Sequence, residues 1–330
     1  MNGLFFAIAS LLWSVVNGIR RIVHARLFRT SSRFRPGKRV ISVGNLQAGG
    51  TGKTPLIIAL ARQAVAKGLK VAVLMRGYGG ALEKCGGVIP PSPLRAVSIE
   101  PELFGDEAVL IHQAVPECWV VVGADRKAMV RKVQRKYWDN QPADLILLDD
   151  GFQNLSMEKD LELLLVTSHT LWTRVFRDFT LWARLASSVL WTKGEKPPSW
   201  LLRSGLPFES LKVVSSLATV EQRARRYRLV CGVGDAEDLR RSAEAAGFVI
   251  VDQVIFRDHA QYESDLLRTL LHRSAEERVR LLTTAKDWVK WRGISSEDVD
   301  ILGVELQLPP QLQKKLDELW CSDSHRQNPG

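Results

Sequence analysis

Residues 42–55 read Ser-Val-Gly-Asn-Leu-Gln-Ala-Gly-Gly-Thr-Gly-Lys-Thr-Pro. Before them, Val40-Ile41-Ser42-Val43 is an apolar run of strand character. After them, Leu56-Ile57-Ile58-Ala59-Leu60-Ala61 carries a helical pattern. A glycine turn between strand and helix is the context of a phosphate-binding loop. Glycines let backbone N–H groups converge on an anion, and the helix N-terminus adds a favourable dipole. Within such a loop Lys53 reaches the β- and γ-phosphates and Thr54 binds Mg²⁺. The general pattern has glycine five residues before Gly52, where this chain has Gln47. The bland alternative is a glycine-rich turn with a chance Lys-Thr. The strand and helix on its two sides favour nucleotide binding.

Further apolar runs follow at Lys70 to Met75, Trp119 to Gly123, Asp144 to Asp150, Leu161 to Val166 and Val189 to Thr192, with helical stretches between them. Nearly continuous apolar strands alternating with helices predict a parallel sheet covered on both faces. Ligands then sit at the carboxyl ends of the strands. A Pro-rich, polar stretch around 195–215 marks a boundary. Beyond it, a strand from Tyr227, a helix over 236–246, a strand from Phe248, a helix over 261–273 and a strand from Val279 predict a smaller α/β unit. The expected organisation is an apolar helix and basic segment over 1–35, a P-loop domain over 36–215 and a smaller domain over 216–330. The end of that last domain can pack back on the P-loop domain.

The chain has 330 residues, 45% hydrophobic and 25% charged, an ordinary globular composition. Its net charge of +10 points to an anionic partner: nucleic acid, a membrane surface or a phosphorylated substrate. Cys85, Cys118, Cys231 and Cys321 are scattered, with no metal-site spacing and no disulfide framework. Residues 3–16 carry no charge, and this run is shorter than the ~20 residues of a spanning helix. Arg20, Arg21, His24, Arg26, Arg29, Arg33, Arg35, Lys38 and Arg39 follow with no acidic residue among them. An apolar helix with a cationic continuation suits the cytoplasmic surface of an anionic membrane. The competing reading is a buried N-terminal helix with a solvated basic tail.

Asp149-Asp150-Gly151-Phe152-Gln153 ends an apolar strand downstream of the phosphate loop, the layout of a magnesium-holding Walker B element. Adjacent strand residues point to opposite faces, so one aspartate is expected nearer the metal. Asp106 opens a helix, and on periodicity alone it reads as an N-cap. Its functional reading is a general base. His259, beside Asp258 in a loop, is a surface residue or an aid to proton removal from a hydroxyl. Lys286 either steadies a phosphate or ends a strand.

These pieces occur together in one family. Gly44-Asn45-Leu46 with Gly49-Gly50-Thr51-Gly52-Lys53-Thr54-Pro55, Arg76-Gly77-Tyr78-Gly79-Gly80, Gly105-Asp106-Glu107-Ala108, Asp125-Arg126, Asp149 to Gln153, Asp258-His259 and Thr283-Thr284 with Lys286-Asp287 stand in its order. The chain resembles the tetraacyldisaccharide 4′-kinases, the lipid A 4′-kinases of Gram-negative bacteria.

The resemblance implies ATP-dependent phosphorylation of the 4′-hydroxyl of a lipid A disaccharide 1-phosphate, at the cytoplasmic face of the inner membrane. It implies two α/β domains with the site between them and a membrane-associated N-terminal helix. Asn45, Gly49, Gly50, Thr51, Gly52, Lys53 and Thr54 would bind ATP, and Thr54, Asp149 and Asp150 would serve Mg²⁺. Asp106 would be the base, paired with His259, with Lys53 on the transferred phosphate. Arg76, Tyr78, Glu107, Arg126 and Arg177 are candidates for substrate or phosphate contact. The chain departs from the family pattern at Asn154, Ala285 and the Gly232 to Ala236 turn. A membrane-associated P-loop ATPase switching a protein partner is the alternative. Nucleic-acid binding ranks last, because the chain carries no RNA-binding signature.

Overall fold

The structure is a computed structural model that describes residues 2–27, 34, 39–92, 99–137, 143–170, 172–232, 236–257, 260, 262–291, 294–295 and 297–321. Eight strands form the large sheet: β1 (Arg39–Asn45), β2 (Val71–Met75), β3 (Gly87–Ile89), β4 (Trp119–Val122), β5 (Leu145–Asp149), β6 (Leu161–Thr167), β7 (Ser188–Lys193) and β8 (Phe208–Ser210). Their order is β3-β4-β2-β5-β1-β6-β7-β8, parallel except for the edge pair β3–β4. The strand carrying the glycine loop is thus flanked by the strand ending in Asp149 and by β6. Register sets Val43 beside Asp149, which brings the acidic strand end to the start of the loop.

Alternation along β1 assigns its two faces. Ile41 and Val43 enter one core with Leu56, Ile57 and Leu60 of the helix after the loop. Val40 enters a second core with Met129, Val130 and Val133. The helices are α1 (Asn2–Leu27), α2 (Lys53–Ala66), α3 (Pro101–Phe104), α4 (Asp106–Ala114), α5 (Arg126–Tyr137) and α6 (Ser199–Arg203).

A separate two-stranded antiparallel sheet pairs β9 (Lys212–Ser215) with β14 (Val304–Gln307). The other four-stranded sheet is β11-β10-β12-β13, parallel throughout, from β10 (Arg226–Cys231), β11 (Val249–Ile255), β12 (Arg280–Thr284) and β13 (Val299–Leu302). Its helices are α7 (Val220–Arg223), α8 (Ala236–Ala245), α9 (Ser264–Glu276) and α10 (Ala285–Trp288). The final helix, α11 (Pro310–Cys321), returns to the large sheet: Leu312, Leu316 and Trp320 join the core of Ile41 and Leu56.

Helix α1 is inside-out. Ser10, Ser14, Asn17 and Arg21 are buried, whereas Leu4, Phe5, Ile8, Leu11, Leu12, Trp13, Val15, Val16, Ile19, Ile22 and Val23 are exposed. A helix packed on a soluble core shows the reverse pattern. The polar stripe is tied to residues 172–182. Ser10 Oγ accepts from the Phe176 amide at 2.9 Å, and Asn17 donates to the Arg177 carbonyl at 2.6 Å. Two sequence readings change here. The helix runs 26 residues, past the charge-free run, so Gly3–Val23 is long and apolar enough to cross a membrane by length and composition. Arg21, counted in the basic segment expected to face an anionic membrane, is buried against Asp178.

Candidate active site

The glycine loop leaves β1 at Asn45 and enters α2 at Lys53. Gly52 takes the N-cap with φ 90° and ψ 17°, a left-handed conformation that favours glycine. No side chain caps α2. Its first N–H groups therefore point toward the loop mouth, which is what an anion-binding helix start requires. Gly49, Gly50 and Thr51 complete the loop, and Thr54 follows Lys53 in the first turn of α2. Asn45 is fully buried, and its amide donates to the Gln47 carbonyl at 2.6 Å and to Thr51 Oγ1 at 3.1 Å. It braces the loop from inside. Gln47, the departure from the general glycine pattern, is a buried staple. It accepts from the Thr167 amide and hydroxyl, each at 2.9 Å, and donates to the Thr167 and His169 carbonyls at 3.2 and 2.9 Å.

The Asp149 to Gln153 segment lies directly on this loop. A Cβ at Gly44 would meet Phe152 Cβ at 2.5 Å and its backbone N at 2.7 Å. Only glycine admits that approach. Asp149 is the last residue of β5. Asp150 has already left the strand, with φ 51°, so the two carboxylates part by a backbone turn and not by strand alternation. Asp150 Oδ1 is 3.6 Å from Lys53 Nζ, and Arg177 Nη1 donates to both its oxygens at 2.7 and 2.9 Å. Against the burial that would raise it, Lys53 and Arg177 hold the Asp150 carboxyl below its ordinary range. Burial pushes Asp149 the other way, up to about 7, with Lys53 opposing and Glu107 adding to the rise. Its Oδ1 is buried without a hydrogen-bond partner among the described residues. One orphaned carboxylate oxygen at this strand end fits a magnesium ion that keeps waters and phosphates for its other positions. Among the described residues no three His, Cys, Asp or Glu side chains form a metal cage.

Arg177 reaches the site because residues 175–177 pair with the loop. Ala48 donates to the Val175 carbonyl at 2.8 Å and Arg177 to the Leu46 carbonyl at 2.7 Å. Arg126, at the start of α5, lies in the field of Asp149 and Asp150. Burial draws its guanidinium down from the ordinary value while those carboxylates hold it up. Arg76 pairs with Glu83 at 2.5 Å, and Tyr78 stands 69% exposed in the turn after β2.

Asp106 is not the N-cap of α4. Gly105 occupies that position, with φ 89°, and no side chain caps the helix. The Arg76 to Gly80 turn explains the arrangement. A Cβ at Gly80 would fall 2.6 Å from both Gly105 N and the Leu103 carbonyl oxygen, and one at Gly105 would fall 2.8 Å from the Tyr78 carbonyl oxygen. Backbone stacks on backbone and sets the first turn of α4. Asp106 Oδ2 then lies 3.8 Å from Lys290 Nζ, a residue of the smaller unit. Glu107 lies beside Asp106 in the same turn. His259 and Asp258 lie outside the described residues. Lys286 sits in α10, where Thr284 accepts the capping hydrogen bond from Asp287 N at 3.1 Å.

Sequence reading missed Lys290 and the role of Tyr262, and it named Asp287 only as a motif residue without a partner. One signal was available: Lys290 follows Asp287 by three residues, the spacing that puts both on one helical face. It also missed the brace by Gln47, because pairing between residues 47 and 167 is not visible along the chain.

A glycine loop at the end of a central parallel strand, a lysine and an acidic neighbouring strand define a P-loop NTPase-like α/β protein. The family described as Tetraacyldisaccharide-1-P 4′-kinase matches residues 3–177 and 187–320. A tetraacyldisaccharide 4′-kinase of Pelobacter propionicus is 34% identical over 325 residues, covering 91% of this chain and 86% of that one. One from Geobacter metallireducens is 30% identical over 338 residues, covering 95% and 97%. A crystal structure of LpxK from Aquifex aeolicus, described as its "apo" form in complex with ATP, superposes with a TM-score of 0.73 over 97% of this chain and 99% of that one. At 22% identity that likeness speaks for the fold. The chain belongs to the tetraacyldisaccharide 4′-kinase family, ATP-dependent kinases of lipid A biosynthesis.

Proposed function

We propose that the protein transfers the γ-phosphoryl group of ATP to the 4′-hydroxyl of a tetraacyldisaccharide 1-phosphate at the cytoplasmic face of the inner membrane. The observation that carries this reading is the Lys53–Asp150–Arg177 cluster at the carboxyl edge of the large sheet, with Asp106 at the head of a neighbouring helix. Lys53 and the uncapped start of α2 cradle the phosphates. Asp150 orients Lys53 and Arg177, which together neutralise charge on the transferred group. Thr54 and Asp149 would hold Mg²⁺, which when bound would offset phosphate charge. Asp106 accepts the proton of the acceptor hydroxyl. Arg126, Arg76, Tyr78 and Glu107 line the acceptor side.

The exposed apolar stripe of α1 supports attachment to the membrane. Its polar stripe is already engaged by the protein from Ser10 to Arg21, which favours a helix lying in the bilayer interface over one crossing it. The division of labour at residues 36–215 and 216–330 follows the two sheets, with α11 returned to the first.

Purified protein with labelled ATP and tetraacyldisaccharide 1-phosphate should give a bisphosphorylated lipid. No transfer in any detergent mixture would refute the reading. Unchanged turnover in Asp106→Ala would remove that residue from its role.

A further inference from the structure

Lys290 is almost wholly buried, with its side chain 1% exposed. A buried ammonium is costly unless carboxylates face it. Two do: Asp287 Oδ1 at 3.2 Å and Asp106 Oδ2 at 3.8 Å, with the Tyr262 ring centroid 5.0 Å from Nζ. Asp287 does not depend on Lys290 for satisfaction. Its Oδ2 accepts from the Gly232 amide at 3.1 Å and the Thr284 hydroxyl at 2.7 Å, and its Oδ1 accepts from the Tyr262 hydroxyl at 2.8 Å. Nζ makes no hydrogen bond of ordinary geometry among the described residues, so its donors are uncommitted. Asp287 holds the ammonium in place, and the charge is left to act on Asp106. α10 packs against α4, so the pair spans the smaller unit and the P-loop unit.

We propose that Lys290 is the positioning residue of Asp106. Anchored by Asp287, it orients the Asp106 carboxylate from the smaller unit. The inference rests on the assignment of Asp106 as the base. At 3.8 Å the contact is an ion pair without a hydrogen bond, so Lys290 steers the carboxylate by charge.

A double-mutant cycle tests this. Lys290→Met keeps the length of the side chain and leaves Asp287 its three donors, so the fold is expected to persist. With ATP and tetraacyldisaccharide 1-phosphate, Lys290→Met should lower kcat on the order of 10²-fold with the KM for ATP unchanged, as misplacement of a reacting group does. Lys290→Arg should restore part of the loss. In the Asp106→Asn background, Lys290→Met should cost nothing further. Wild-type kcat in Lys290→Met, or losses that multiply in the double variant, would overturn the proposal. Denaturation of the same four proteins reads the pair without substrate. Non-additive midpoints support it, and strictly additive ones refute it, even if the wild type phosphorylates no lipid and the functional reading itself fails.

Discussion

Arg21 Nη2 donates to Asp178 Oδ2 at 2.6 Å, with both side chains buried, and the same nitrogen donates to the Phe152 carbonyl at 3.0 Å. The guanidinium also lies over the Phe152 ring, 4.6 Å from its centroid. One residue of the apolar helix thereby grips both the loop that carries Arg177 and the loop after Asp150. Asp178→Asn would leave a buried cation without its counter-charge. A loss of about 3–5 kcal/mol in unfolding free energy is expected. Urea denaturation measures it, and α1 should become the first site of limited proteolysis.

Leu12 and Val16 project from the opposite side of α1, both well exposed. Leu12→Glu with Val16→Glu should leave circular dichroism and ATP binding as in the wild type. Binding to vesicles of anionic phospholipid should weaken about tenfold or more, since two aliphatic side chains no longer leave water. Flotation of the two proteins with such vesicles makes the comparison.

Gly80→Ala tests the backbone stack beneath Asp106. Its φ of −87° suits any residue, so the effect is purely steric. The three atoms nearest the new Cβ are backbone atoms of residues 103–105, none of which can swing aside as a side chain would. The start of α4 should shift and kcat should fall on the order of 10²-fold. ATP affinity should survive, because the glycine loop hangs from a different strand. An equal loss of ATP affinity would contradict this account.

Gln47→Ala removes a four-bonded brace between the glycine loop and the end of β6. The Thr167 amide is left buried without that acceptor, a cost of about 1–3 kcal/mol. Thermal unfolding should register it, together with a higher KM for ATP as the loop loosens.

Arg228, buried in the smaller unit, donates to Asp252 at 2.8 Å and to Ser274 at 2.9 Å, and pairs with Glu277. The hydrogen bond from Arg228 holds the Asp252 carboxyl below its ordinary range. Arg273 and then Arg228 do the same for Glu277. Folded values below unfolded ones mean that this stability is complete above the ordinary carboxylate range. It is lost as pH falls through that range toward the lowered values. Urea midpoints should drop from pH 6 to pH 3, and Arg228→Met should flatten the drop.

The readable parts of the chain were those whose cause is local. β1, β2, β4, β5 and β6 are short apolar runs bounded by glycine or aspartate, and each lies where its run predicts. β3, β8 and β13 carry no such run, because an edge strand need not be apolar on both faces. Residues 212–215 and 304–307 pair across nearly a hundred positions, which no local pattern encodes. Asp106 looked like a cap because caps are the common reason for an aspartate at a helix start. Gly105 took that place once Gly80 had pressed against its backbone.

By itself the sequence determined the phosphate loop and the alternation of strand and helix, and it identified the family by its motifs. These rest on backbone freedom, periodicity and the spacing of neighbours, all written within a few residues. Only the tertiary structure decided that Asp150 leaves its strand to meet Lys53 and Arg177, and that α1 turns its polar stripe inward. It also decided that Lys290 faces Asp106. Those contacts join residues 27 to 184 positions apart, and their partners are chosen by strand order and by burial, which forces each charge to find a counter-charge wherever the fold brings one.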